Sequence, residues 1–148
     1  MNVWLSHATG IALHRLTLST REMMAKYPHG FSTVHIITGS AGLPDADARA
    51  GFIRLSNECV RELACVGVII GGSGFWASAL RAAVTGIWQA LPKSFDMGIC
   101  GTSEEVAEWL VPRHLQRTGA HLPPESLVAV LNRATEEAAN GALTQQSA

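Results

Sequence analysis

Apolar residues fall into short, nearly continuous runs separated by longer stretches in which they recur every three or four positions, a pattern of strands alternating with helices. Residues 3–6 predict a short strand, and Gly10 separates it from a stretch carrying Ile11, Leu13, Leu16, Leu18, Met23 and Met24 that predicts a helix up to Lys26. Tyr27-Pro28-His29-Gly30 stops that helix, because proline lacks an amide donor and glycine accepts positive φ. Residues 31–37 are rich in β-branched side chains and predict a buried strand, with Thr38-Gly39-Ser40-Ala41-Gly42 as its exit loop. Pro44, Asp45 and Asp47 then open a helix with apolar positions Phe52, Leu55, Cys59 and Leu63, leaving Arg49, Arg54, Glu58 and Arg61 to water.

Residues 65–70 are almost wholly apolar, as expected for a central strand covered on both faces. Gly71-Gly72-Ser73-Gly74 leads into a helix over 75–91 with the stripe Leu80, Val84, Ile87 and Leu91, and Pro92 ends it. Residues 95–100 predict a last strand at an edge. Thr102 and Glu105 fit a capping box at the start of the next helix, whose stripe is Val106, Trp109 and Leu110. The pattern loosens after Pro112, and Pro123-Pro124-Glu125 starts a final helix through Leu127, Val130, Leu131 and Ala134. The predicted fold class is α/β, about four mainly parallel strands alternating with helices plus a C-terminal helix, since parallel neighbours need crossover connections. Its expected parts are an α/β domain over 1–112, a helical extension of the same domain over 113–140 and a polar tail over 141–148.

Composition narrows the function classes. A chain of 148 residues with a formal net charge of -1 has room for one sizeable core and no strong electrostatic pull toward nucleic acid or anionic lipid. Cys59, Cys65 and Cys100 are odd in number and sit in apolar segments, so free buried thiols are expected. The amino terminus lacks the basic start and apolar run of a signal peptide, and no run reaches membrane-helix length. These features predict an intracellular, cytoplasmic protein that partners neither nucleic acid nor membrane.

The order of elements, with residues 66–75 (VGVIIGGSGF) running into 77–86 (ASALRAAVTG) and with Ser103-Glu104-Glu105-Val106-Ala107-Glu108-Trp109-Leu110, resembles a bacterial family related to STAS domains (sulfate transporter and anti-sigma-factor antagonist). The resemblance spans roughly Asn2 to Leu110. It implies a small sheet with helices mainly on one side, a branch without assigned activity, and a regulatory module that docks protein partners or dimerises rather than catalysing a reaction. Relatives carry a phosphorylatable residue within an Asp-Ser-Ser-Gly-like motif after the strand matching residues 34–37. Here the loop has no aspartate directly before Ser40. The chain also starts where relatives already have an earlier strand, which leaves a sheet edge open to pairing between subunits.

The interaction or ligand candidates are Ser40, Gly72, Ser73, Gly74, Phe75, Trp76 and Arg81. The loop 71–74 lies between a strand and a helix, where free amides hold anions, so a small anionic ligand is the alternative to a protein partner. Against this stands the plainer expectation that the glycines make a tight turn and Ser73 caps the helix. The loop lacks the glycine spacing of a dinucleotide fingerprint and the lysine of a phosphate loop, and Phe75 occupies the last glycine of a nucleophile elbow. A minor hydrolase built on the Ser40 and Ser73 loops is a variant of the ligand reading. Trp76 and Trp88 are expected on one face of their helix, in the core or, with Arg81, at an interface. The six histidines, His7, His14, His29, His35, His114 and His121, lack metal-ligand spacing, and His35 reads as a core or interface residue. The acidic pairs Asp45/Asp47 and Glu104/Glu105 head helices, where capping precedes acid–base work. No catalytic residue, cofactor or metal is expected.

Overall fold

In the computed structural model the described residues are 1–4, 8–39, 41–92, 94 and 96–146, with 141–146 described by their helical backbone alone. Ser6, His7, Ser40 and Phe95 therefore lie outside the described residues. The order is β1 (Asn2–Trp4), α1 (Gly10–Lys26), β2 (Phe31–Ile37), α2 (Ala46–Glu58), β3 (Leu63–Ile70), α3 (Phe75–Gln89), β4 (Met97–Cys100), α4 (Ser103–Thr118) and α5 (Pro124–Gln146). The strands form one parallel sheet in the order β1-β2-β3-β4, so β1 and β4 are its edges. The α/β architecture expected from the alternating pattern is what the chain adopts.

Strand alternation sorts the side chains into two layers. Val66, Val68 and Ile70 of β3 join Leu80 and Val84 on the side of α1, α2 and α3. Cys65 and Ile69 join Val106, Leu110, Leu131 and Ala134 on the side of α4 and α5. Both faces are thus covered, rather than mainly one. Every residue of β3 is buried. No helix among the described residues is long and apolar enough to cross a membrane.

Sequence signals set most helix ends. Asp45 accepts the Ala48 amide at 2.7 Å and Thr102 accepts the Glu105 amide at 3.2 Å, as expected of N-caps. The Glu105 carboxylate reaches back to the Gly101 amide at 2.7 Å, one residue before the position a capping box uses. Four expectations change. Leu63 opens β3 rather than extending α2, which ends at Glu58. Helix α4 does not end near Pro112 but continues to Thr118, where Gly119 caps it at φ 70°. Its second half is tied to the sheet, with Ser32 Oγ and His114 Nδ1 2.9 Å apart, which offsets the backbone bond lost at the proline. Val130 is exposed rather than in the α5 stripe, and α5 stays helical to Gln146, past the start of the expected tail at Gly141.

The two helical layers sit at different depths. Gly67 and Gly98 are register partners on β3 and β4. A Cβ on Gly67 would lie 2.7 Å from Val106 Cγ2, and one on Gly98 would lie 2.5 Å from the Trp109 ring. Together they form a flat floor on which α4 rests directly, with the Arg113 guanidinium stacked over the Trp109 ring, 4.5 Å from its centroid. On the opposite face Val66 and Val68 hold α3 farther from the sheet. Substituting Gly98→Ala forces Trp109 and α4 outward. A loss of about 1–3 kcal/mol is expected for such overpacking, read as a lower denaturant midpoint at unchanged slope.

Candidate functional site

The carboxyl end of β3 carries the loop the sequence singles out. Gly72 and Gly74 have φ of 79° and 93°. With ψ at -174°, Gly74 occupies a backbone region open essentially only to glycine, and it is the N-cap of α3. Ser73 does not cap the helix, contrary to the plainer expectation; α3 has no side-chain cap at all. Instead, Ser78 Oγ donates to the Gly74 carbonyl at 3.0 Å.

Arg81 faces inward on this loop. Its guanidinium donates to the Ile70 carbonyl at 2.6 Å and the Gly72 carbonyl at 3.2 Å, pinning the glycine turn to the end of β3. The side chain expected as an interface anchor therefore serves to position the loop. Truncation to Arg81→Ala is expected to speed amide hydrogen exchange across residues 71–76 while the interior of β3 stays protected.

What the held loop presents is aromatic. Phe75 is 87% exposed and Trp76 39% exposed at the first turn of α3. Trp88 is 41% exposed, so neither tryptophan is a core residue. Nor do the two share a face, since twelve residues span roughly 3.3 turns and leave them about a third of a turn apart. The solvent-facing cluster is Phe75 and Trp76 beside Gly72, Ser73 and Gly74, all exposed. Ser40, expected to join it, lies outside the described residues.

Two polar constellations escaped sequence reasoning, because both join residues remote in the chain. In the first, Ser32 Oγ lies 2.9 Å from His114 Nδ1 and 3.2 Å from Cys65 Sγ, and Thr118 Oγ1 lies 3.4 Å from His114 Nε2. A serine beside a histidine is the start of a nucleophile–base pair. Here a threonine stands where a carboxylate would orient the ring, and burial raises the Cys65 thiol and lowers the His114 imidazole. The group works as a polar tie between β2 and α4.

The second constellation lies on the other face of the sheet. Trp4 Nε1 donates to His35 Nδ1 at 3.0 Å, and Phe52 packs edge-on against both rings. Burial, with a smaller contribution from the amino-terminal charge, pulls the His35 pKa from 6.5 down to about 4. The ring borders an apolar cavity of about 110 Å³ between the sheet and α1, α2 and α3. Cys59 also borders it, its thiol pushed up to about 11 chiefly by burial and so unreactive at neutral pH.

All three cysteines are free, Cys59 and Cys65 buried and Cys100 partly so. No group of three or more metal-ligating side chains occurs among the described residues. Compared with known proteins, the chain matches no family model, no curated protein and no solved structure.

The His35 shift sets a pH dependence. Its folded pKa lies below the unfolded value, so between about pH 6.5 and 4 the unfolded chain binds the extra proton. Its contribution to stability is complete above about 6.5 and is lost as pH falls toward 4. The expected loss is on the order of 3 kcal/mol. Thermal melts of the wild type and of His35→Asn over that range check this, and the variant's curve should be flatter.

Proposed function

We propose that this chain is a non-catalytic, STAS-like regulatory module of the bacterial cytoplasm that docks a protein partner or a second copy of itself through Phe75 and Trp76. The observation that carries this reading is the 87% exposure of Phe75 on a loop that Arg81 holds in place. A large apolar side chain on a rigid mount loses little conformational entropy on docking, and aromatic residues dominate the energetics of protein interfaces. Fully burying a phenylalanine side chain contributes about 1.5–3 kcal/mol, enough to make Phe75 an anchor. Gly72, Ser73 and Gly74 beside it supply a low rim with accessible backbone.

The edge strand β1 offers self-association a second element. It is three residues long and pairs with β2 on one side. Short edges of this kind limit unspecific pairing, so the aromatic cluster is the stronger anchor. The family resemblance supports the same reading, as relatives use this fold to dock proteins.

The test is a double substitution, Phe75→Ser with Trp76→Ala, compared with the wild type by sedimentation at increasing concentration and by co-purification from host lysate. Self-association or partner recovery should weaken at least about tenfold, with an unchanged melting temperature. Undiminished association, or a fall in melting temperature large enough to place the two side chains in the core, would overturn the assignment.

A further inference from the structure

The cavity beneath α1, α2 and α3 has one feature that a packing defect does not need, a hydrogen-bond donor with a fixed direction. An indole Nε1–H donates only, so His35 Nδ1, which receives the Trp4 bond at 3.0 Å, is the ring's lone-pair nitrogen. The neutral imidazole therefore carries its proton on Nε2. Nε2 has no hydrogen-bond partner among the described residues, and no side-chain polar atom there is both fully sealed and unpaired. Nε2–H is accordingly an accessible donor on a ring that lines the cavity.

The remaining wall is chiefly hydrocarbon, with Thr20, Thr33 and Ser56 the hydroxyl-bearing residues among those described that line it. Val66 and Val68 form the floor, Leu80, Val84 and Ile87 the α3 side, and Leu55 part of the α2 side. Ala41, Gly42 and Pro44 bring the loop after β2 to the same space. An apolar cavity of about 150 Å³ holds a benzene molecule, so about 110 Å³ suits a compound of about four to six non-hydrogen atoms. The position matches the general form of small-molecule sites, apolar walls with a few placed polar groups.

We propose that this cavity is a binding site for a small, neutral, largely apolar molecule, a ketone or ether in class, whose single oxygen accepts the His35 Nε2–H. Trp4 fixes the tautomer and so the polarity of the site, and Phe52 holds both rings at the required angle. An anion is disfavoured, because the imidazole stays uncharged at neutral pH and no Lys or Arg among the described residues lines the wall. The site stands independently of the docking surface.

The test uses cyclopentanone and methylcyclopentane, which match in heavy-atom count and differ in the acceptor. NMR titration of the folded full chain follows the Trp4 indole N–H and the His35 ring nitrogens. Both probes should perturb residues lining the cavity, and only cyclopentanone should move the Nε2 resonance in the direction of a stronger hydrogen bond. His35→Asn keeps an acceptor for Trp4, and its shorter carboxamide takes away the donor at the Nε2 position. It should weaken cyclopentanone about two- to tenfold relative to methylcyclopentane. The wild-type spectra decide the matter if that variant does not fold. The proposal is overturned if neither probe perturbs the cavity, or if both move Nε2 alike. It also fails if His35→Asn weakens the two probes equally.

Discussion

The strand β3 is buried along its whole length, and that constraint organises the molecule. A strand with Val66, Val68 and Ile70 on one side and Cys65 and Ile69 on the other cannot leave either face to water. The connections between successive parallel strands cross on one face and place α1, α2 and α3 there. The remaining face must then be closed by the chain beyond β4. Helix α4 does this with Val106 and Leu110, and Leu131 and Ala134 of α5, which reaches β1, close the layer beside it.

How closely each layer approaches depends on the side chains that β3 and its neighbour present. Gly67 and Gly98 lie side by side on the α4 face, so backbone meets helix with no Cβ between them. The other face presents branched residues and the large rings of Trp4 and His35, with Phe52 of α2 packed against both. Rigid aromatic and β-branched side chains cannot all interdigitate with three separate helices, and the shortfall collects as the cavity under α3. The same alternation that seats α4 tightly thus leaves room opposite, and His35, on that side of β2, lines the room.

Local signals were legible in the sequence because they act over a few residues. Asp45 and Thr102 announce their helices through bonds three residues ahead, and the apolar run of β3 announces two-sided cover. Features that depend on residues across the fold were not. Pro112 reads as a stop because the local chain offers nothing to hold the next turn; the holding contact is Ser32, on a strand eighty-two residues before His114. Trp76 and Trp88 read as core from their place on an apolar helix, yet they are 39% and 41% exposed, Trp76 because α3 begins beyond the end of β3. Arg81 reads as an interface or ligand-loop residue, and only the path of the glycine loop gives it two carbonyls to bind. The pairing of Trp4 with His35 had no sequence signal at all, as it requires the register of β1 on β2.

Helix α3 serves both parts of the molecule with different faces. Leu80, Val84 and Ile87 border the cavity, whereas Phe75 stands almost entirely in solvent one turn earlier. Trp76 lies between these roles: it continues the inner stripe by one turn, since four residues separate it from Leu80, but it has passed the end of the strand that would cover it. An ordinary core helix would end its apolar stripe where the sheet ends. Here the stripe runs on, and the turn beneath it is fixed by a Gly-only conformation at Gly74 and by both bonds of Arg81. A disordered aromatic loop would collapse onto the nearest apolar surface. Holding this one away from the sheet keeps its surface available, which is a physical reason to place recognition there and not in the polar tie at Ser32 and His114.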